Sequence, residues 1–240
     1  MSKAFKSIEG SSRSLHLQVA RAIARKILSG DLPEDGIIPS EMDLCEQFGV
    51  SRTALREAIK LLNSKGLLES KPKIGTRVRQ REHWNLLDAQ LIDWMVGIDN
   101  TDKIYWEFLS LRRAIEPEAA ALAARHASVE QRMALSGIFQ TMSNIASGID
   151  QENQWSTIDL EFHRQIYLST GNSFFLPFAN VLRTIFLGFI EHSSKEGGTC
   201  IEEHKAIYEA IMAGDSVKAR QANLDLLNDS NHRLPDEHAA

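Results

Sequence analysis

The sequence predicts a mainly α protein, with an N-terminal winged helix-turn-helix followed by an all-α helical bundle. Residues 1–80 contain three segments whose apolar residues recur at helical spacing, followed by two short, basic, strand-like segments. From residue 81 onward the periodic segments are helical, and glycine, asparagine, aspartate or serine residues mark their ends. Three helices followed by a basic hairpin are typical of a winged helix-turn-helix.

The three N-terminal helices are predicted from their caps and stops. The first ends at Ser29-Gly30, a favourable C-terminal stop. Ser40 caps a second helix that ends at Gly49, and Ser51 caps a third that ends at Lys65-Gly66. The apolar residues of the first helix, one turn apart, are Leu15, Val19, Ile23 and Ile27.

Two strands and seven further helices complete the expected elements. The strands are expected at 67–70 and 76–79. The helices are expected at 84–97, 101–126, 128–147, 152–170, 173–192, 198–213 and 215–231. We expect a winged helix-turn-helix domain at 1–80, a linker with a connecting helix at 81–100, a helical domain at 101–234 and a flexible tail at 235–240.

Charge is distributed unevenly along the chain. The 240 residues have a net charge of −5 and are 43% hydrophobic, which excludes a disordered chain and a small disulfide scaffold. An acidic protein is not expected to bind nucleic acid. However, residues 1–80 carry a net charge of +5 and residues 81–240 a net charge of −10. The basic N-terminal part therefore remains a candidate for contact with DNA.

The sequence also predicts where the protein works. No apolar run reaches the roughly 18 to 20 residues that a membrane span needs, and Met1–Gly10 lacks the pattern of a secretory signal. Cys45 and Cys200 are the only cysteines and do not form a CxxC pair. We therefore expect a cytoplasmic protein with free thiols and without a membrane partner.

The third helix is predicted to read DNA. In a helix-turn-helix the second helix of the motif enters the major groove, and its first turn contacts the bases. Arg52 and Arg56 lie four residues apart on one face, and arginine can bind guanine through two parallel hydrogen bonds. Phosphate contacts are expected from helix caps and from the basic hairpin. The candidate DNA-binding residues are Ser40, Glu41, Ser51, Arg52, Thr53, Arg56, Lys73, Gly75 and Arg77.

A possible metal site lies in the helical domain. Asp159 and His163 are four residues apart and share one helix face, so a carboxylate and an imidazole can reach the same cation. His204 begins another helix and can join them from across the bundle. A salt link on the surface or an ordinary core histidine would give the same spacing.

Arginine and histidine residues of the same domain are candidates for binding an acidic ligand. Arg112 lies on an apolar helix face, where an unpaired guanidinium is costly, so it needs an acidic partner. Glu116, Asp159 or the carboxylate of a ligand can fill that role. Further candidates for the pocket are Arg183, His192 and Arg233.

The N-terminal motifs resemble those of the GntR family of bacterial transcription regulators. The resemblance covers about 65 residues: Pro39-Ser40-Glu41, Leu44, the run from Phe48 to Ala58, Gly66-Leu67-Leu68 and Gly75-Thr76-Arg77-Val78. It implies base contacts by Arg52 and Arg56 and an approach of the wing near Gly75 to the minor groove. It departs from the fatty-acid-responsive members at Met42, where they carry an arginine.

The helical domain resembles the effector-binding and dimerisation domain of the FadR-like subfamily. The matching residues are Leu111-Arg112, Glu116, Asp159, Phe162-His163, Gly171-Asn172 and Glu203-His204. The resemblance implies a divalent metal bound by Asp159, His163 and His204, with zinc favoured and manganese or nickel as alternatives. Metal-binding members have a fourth ligand, a histidine, 22 residues beyond His204, where this chain has Leu226. The ligand set is therefore expected to be incomplete.

The expected function is that of a ligand-responsive regulator and not of an enzyme. The segment 84–88, with Trp94 and Glu116-Pro117, resembles the branch that contains the galactonate-operon repressor and other regulators of hexonate or hexuronate catabolism. This branch implies a homodimeric repressor that binds palindromic double-stranded operator DNA and is released by a small carboxylate, a sugar acid. The alternatives are an activator, a DNA-binding protein with an inert helical domain, and a metal-dependent hydrolase.

Overall fold

The computed structural model describes residues 12–98, 101–150, 154–193 and 200–228, with side chains from 15 to 98, 106 to 150, 154 to 184 and 200 to 228. Its contacts divide the chain into two units, Met1–Asn100 and Thr101–Ala240. The first contains a helix-turn-helix with a hairpin, and the second is helical throughout its described residues. The predicted fold class is thereby confirmed.

The first unit has the predicted order of elements. It contains the helices α1 (Ser12–Leu28), α2 (Glu41–Phe48) and α3 (Arg52–Ser64), and the strands β1 (Leu68–Lys71) and β2 (Gly75–Val78). The strands pair antiparallel, with Leu68 opposite Val78 and Lys71 opposite Gly75. They are displaced by one residue from the predicted ranges because Gly75, at φ +115°, already belongs to β2.

A close backbone contact explains the glycine at the end of α3. Gly66 has φ +77°, and a Cβ atom there would lie 2.0 Å from the carbonyl oxygen of His83. No residue with a side chain fits this position without moving the backbone. The glycine therefore lets the chain after the wing pass directly over the C-terminus of α3.

The helix predicted at 84–97 is shorter than expected. The structure has a 3-10 turn at Arg81–His83 and then α4 (Ala89–Met95). The helix begins late because Asp88 is its N-cap, with a side-chain oxygen that accepts a hydrogen bond from the Leu91 amide at 2.8 Å. Leu91 and Trp94 are buried in the apolar core of the first unit. The segment therefore folds onto the first unit of its own chain.

The second unit is a helical bundle in its described residues. Its helices are α5 (Thr101–His126), α6 (Val129–Ala146), α7 (Trp155–Leu168), α8 (Leu176–Ser193), α9 (Ile201–Ala213) and α10 (Ser216–Asn228). Small buried alanines line α5, among them Ala119, Ala120 and Ala123, and they let α10 pack closely on it. A 3-10 turn at Ser173–Phe175 precedes α8, where the sequence predicted continuous helix.

No helix among the described residues is both long enough and apolar enough to cross a membrane. Cys45 and Cys200 are free thiols.

Candidate functional site

Two serines predicted to contact phosphates are the N-caps of the helix-turn-helix. The Ser40 hydroxyl accepts a hydrogen bond from the Asp43 amide at 3.2 Å, and the Ser51 hydroxyl accepts one from the Ala54 amide at 3.3 Å. Both helices therefore begin at an exposed serine, with their unpaired amides and the positive end of the helix dipole at that point. Such a terminus is suited to binding phosphate.

The residues predicted to read bases are exposed at the start of α3. Arg52, Thr53 and Arg56 all point into solvent. Glu41 on α2 accepts a hydrogen bond from Nε of Arg56 at 3.0 Å. An exposed ion pair contributes little to stability, so its main consequence is to orient the Arg56 side chain.

The predicted wing residues differ in how accessible their side chains are for a contact with phosphate. Lys73 is exposed at φ +65° in the turn between the strands, and Gly75 follows it. Arg77 is instead half-buried and forms ion pairs with Glu69 and Asp35. Its guanidinium therefore ties the hairpin to the rest of the first unit, and a phosphate contact would have to replace these partners.

The structure brings the three predicted metal ligands together. Asp159 and His163 on α7 and His204 on α9 are all buried, and each offers one ligand atom within 4.8 Å of the other two. The alternative of a salt link on the surface is excluded by their burial. The two imidazole rings are 5.5 Å apart between centroids and nearly perpendicular.

The backbone contact of His204 directs its other ring nitrogen toward Asp159. Its Nδ1 lies 2.7 Å from the backbone oxygen of Cys200, which can only accept, so Nδ1 carries the proton. In the neutral ring, Nε2 then presents a lone pair. This atom lies 2.7 Å from Oδ1 of Asp159, yet neither atom has a hydrogen-bond partner of acceptable geometry. A proton on Nε2, which would make an ion pair with Asp159, or a metal ion between the two atoms would satisfy both.

Glu116 on α5 contacts His163 through the ring nitrogen Nδ1. Its Oε2 lies 3.0 Å from Nδ1 of His163, and its Oε1 accepts a hydrogen bond from Nε of Arg112 at 2.5 Å. A carboxylate behind a histidine fixes the ring and makes its other nitrogen a better ligand. The structure thus selects Glu116 as the partner of Arg112. Its contact with His163 was missed because no spacing in the sequence links α5 to α7.

Neighbouring positive groups favour the ionised form of both buried carboxyl groups. Burial alone would raise the pKa of Glu116, but Arg112 and His163 outweigh it and lower the pKa to about 2. Burial opposes ionisation of Asp159 as well, and His204, His163 and Arg112 together lower its pKa to about 2. Burial disfavours a charged His204, but Asp159 outweighs it and raises the pKa of that ring. These shifts have one electrostatic cause, the close approach of opposite charges.

Leu226 and Arg183, where the structure describes them, are not part of the cluster. Leu226, at the position of the family's fourth ligand, is buried in the apolar core. Arg183 lies on α8 with an exposed side chain. The side chain of His192, the whole of Arg233 and the tail at 235–240 lie outside the described residues.

The comparisons with known proteins agree with both halves of the structure. Residues 15–78 match the bacterial regulatory proteins of the gntR family, and residues 107–229 match the FCD domain. The chain belongs to the GntR family. An uncharacterised HTH-type transcriptional regulator of Escherichia coli, YieP, is 33% identical over 225 residues, which cover 94% of this chain and 95% of that protein.

Two further relatives extend the comparison. The galactonate operon transcriptional repressor of Escherichia coli is 26% identical over 221 residues, or 90% of this chain and 95% of that protein. The solved structure of Lar, which controls the expression of the Listeria monocytogenes agr system, superposes with a TM-score of 0.56 at 18% identity. It covers 92% of this chain and 95% of its own, and it supports the fold alone.

Membership of the family decides the class of function. GntR-family proteins are transcription regulators that bind operator DNA and small-molecule effectors, and they are not enzymes. FCD domains bind metal ions in some members. The expectation of a non-enzymatic regulator is confirmed, and the hydrolase alternative is not supported.

Proposed function

We propose that this protein is a homodimeric, cytoplasmic repressor of a sugar-acid catabolic operon. In this proposal two α3 helices read the halves of a palindromic operator, because one helix offers too few base contacts for tight binding. A small carboxylate bound in the second unit releases the protein from DNA by favouring another arrangement of the two reading helices.

The charge of the buried cluster carries this proposal. Arg112 contributes one positive charge, and Glu116 and Asp159 each contribute a negative one, so the formal charge is −1 when both imidazoles are neutral. A divalent cation would change it to +1, and the carboxylate of one sugar acid would then neutralise it. Metal followed by anion is therefore the electrostatically favourable order of binding.

Asp159, His163 and His204 would hold the metal. Two imidazoles and a carboxylate favour zinc, with manganese or nickel as alternatives. A cation with three protein ligands keeps coordination positions at which a carboxylate can bind. Glu116 would hold His163 in position, and Arg112 would add positive potential near the bound anion.

The sugar-acid class is supported by the galactonate operon repressor, which resembles this chain along 90% of its length. A galactonate-type ligand carries one carboxylate for the metal and Arg112, and hydroxyl groups for polar side chains. The direction of control, repression, is inferred from the same relative.

A thermal-shift experiment tests the proposed site. Protein loaded with zinc should be stabilised by D-galactonate or a related hexonate, by about 2.7 kcal/mol at 100 times its dissociation constant. The same protein stripped by a chelator should respond less. The variant His163→Ala/His204→Ala should lose the zinc effect, whereas Lys205→Ala, at an exposed position on α9, is the control. Absence of stabilisation by every hexonate and hexuronate would contradict the sugar-acid proposal.

A further inference from the structure

A buried asparagine on α10 has no hydrogen-bond partner among the described residues. Asn223 is fully buried, with 0% of its surface exposed, and neither Oδ1 nor Nδ2 makes a hydrogen bond. Its neighbours on the same buried face of α10 are apolar: Ala219, Leu226 and Leu227. An unpaired buried amide destabilises a folded protein, so such a group calls for a specific explanation.

The packing of α10 against α5 places this asparagine at the level of the buried cluster. Arg113 on α5 donates to the backbone oxygen of Leu227 at 3.2 Å, and Glu118 on α5 pairs with Arg220. The two helices are therefore antiparallel. Between these two contacts lie Glu116 on α5 and Asn223 on α10, and both are buried.

The packing of α10 against α9 independently places Asn223 at a similar height along the bundle to His204. The two helices run antiparallel from the turn at Gly214, where the Asp215 amide donates to the Ala210 oxygen at 2.9 Å. His204 lies ten residues before this glycine and Asn223 nine residues after it. Because a helix turn takes 3.6 residues, the two side chains lie within about one turn of the same level.

We propose that the Asn223 carboxamide is the contact through which α10 recognises a hydroxyl group of the effector, so that the site selects hydroxy acids over unsubstituted acids. This inference rests on the proposed function. A carboxamide offers one acceptor and two donors, which match a hydroxyl group or a pair of adjacent hydroxyls. The apolar residues around Asn223 strengthen such a hydrogen bond, and they penalise a ligand that leaves the amide unpaired.

The unliganded protein gives the first test. If Asn223 serves a ligand and not the fold, its replacement removes a destabilising buried amide. Asn223→Leu, which has a similar shape, should raise the Tm of the metal-free full chain by about 2 to 4 °C. Asn228→Leu, at an exposed position on the same helix, is the matched control and should leave the Tm unchanged. A Tm lowered in both Asn223→Leu and Asn223→Ala would show a structural role and overturn the proposal.

Ligand selectivity gives the second test. With zinc present, D-galactonate is compared with hexanoate, an acid of equal chain length without hydroxyls. Asn223→Leu and Asn223→Ala should weaken D-galactonate binding about tenfold or more, while zinc affinity and hexanoate binding stay the same. Unchanged D-galactonate binding in both variants overturns this proposal alone. A wild-type protein that binds zinc but no hydroxy acid contradicts the proposed function instead, and this inference with it.

Discussion

Arg56 depends on one neighbour for its orientation. Its Nε donates to Glu41 at the start of α2, so the guanidinium is directed before any DNA is present. Directing a side chain in advance reduces the entropy lost on binding. Arg52 lies at the first position of α3 and is exposed. The two arginines are therefore expected to carry the base preference, and the wing the general attraction to phosphates.

Substitution of a reading arginine should change selectivity as well as affinity. Arg56→Ala should cost about 1 to 3 kcal/mol of operator binding and relax the preference at one base pair of each half-site. Lys73→Ala, at the exposed wing turn, is the comparison and should weaken operator and unrelated DNA alike, with a smaller salt dependence. Fluorescence anisotropy on a set of operator variants measures both effects. An Arg56→Ala protein with unchanged sequence preference would contradict the assigned role.

Glu116 should govern metal affinity without being a ligand. Glu116→Gln removes the carboxylate behind His163 and should weaken zinc binding by about 10- to 100-fold. Glu118→Gln, on the same helix but with an exposed side chain paired to Arg220, is the control. Competition with a chromogenic chelator measures the affinity. Equal zinc affinity in the Glu116→Gln protein would show that the carboxylate does not support the site.

Spacing in the sequence predicted that Asp159 and His163 lie close together, but it did not predict the contact of Glu116 with His163. Asp159 and His163 lie one turn apart, so their proximity follows from the helix itself. The contact between Glu116 and His163 joins two helices, and no periodicity encodes it. Asn223 was missed for a related reason: a single asparagine in a helix gives no sign of whether its amide finds a partner.

At the scale of elements, α4 is held on the first unit by polar contacts as well as by its apolar face. Buried Lys65, at the C-terminus of α3, donates to Asp88 at 2.6 Å and lies 5.3 Å above the ring of Trp94. Arg25 on α1 donates to three carbonyls at the end of α4, those of Trp94, Val96 and Gly97, at 3.1, 2.8 and 2.7 Å. The segment around α4 is therefore in direct polar contact with both α1 and the C-terminus of α3.

The ion pair between Lys65 and Asp88 should make the first unit sensitive to acid. Burial would raise the pKa of Asp88, but the hydrogen bonds from Lys65 and from the Leu91 amide outweigh it and lower the pKa. The stabilisation is therefore complete above the unfolded-state pKa of about 4 and is lost as the pH falls through the lower folded-state value.

Asp88→Asn should therefore destabilise the first unit by about 1 to 3 kcal/mol at pH 7, because it leaves buried Lys65 without its charged partner. The difference from the wild type should shrink as the pH falls below about 4. Urea unfolding at a series of pH values measures it, and Asp93→Asn, at an exposed position on α4, is the control. A difference that does not depend on pH would contradict this account.

Helix caps explain which elements could be predicted. Ser40 and Ser51 predicted the starts of α2 and α3 correctly, because a serine just before an apolar helical repeat is a typical N-cap. The predicted start of α4 was wrong because Trp84 continues the apolar helical pattern. In the structure, however, the backbone at Trp84 turns across the end of α3. Tertiary contacts fix that path, among them the close approach of Gly66 to His83 and the hydrogen bond from the Asn85 amide to the Lys65 oxygen.

At the scale of the whole molecule, the two parts of the chain carry opposite net charges. The basic first 80 residues attract DNA, and the acidic remainder is repelled by it, so the reading surface is also the electrostatically favoured one. The same acidic remainder has to admit an acidic ligand. In the proposed function, a metal ion bound by the buried cluster and Arg112 would supply the local positive charge that this requires.

In the proposed function, ligand binding and DNA binding are coupled, and this coupling can be measured on the chain's own promoter region. Fluorescence anisotropy follows zinc-loaded protein on that DNA as hexonates and hexuronates are added. The His163→Ala/His204→Ala protein should bind the same DNA but not respond. We expect D-galactonate or a related hexonate to weaken binding by about 5- to 150-fold. Affinity for DNA that stays constant with every hexonate and hexuronate would contradict the account.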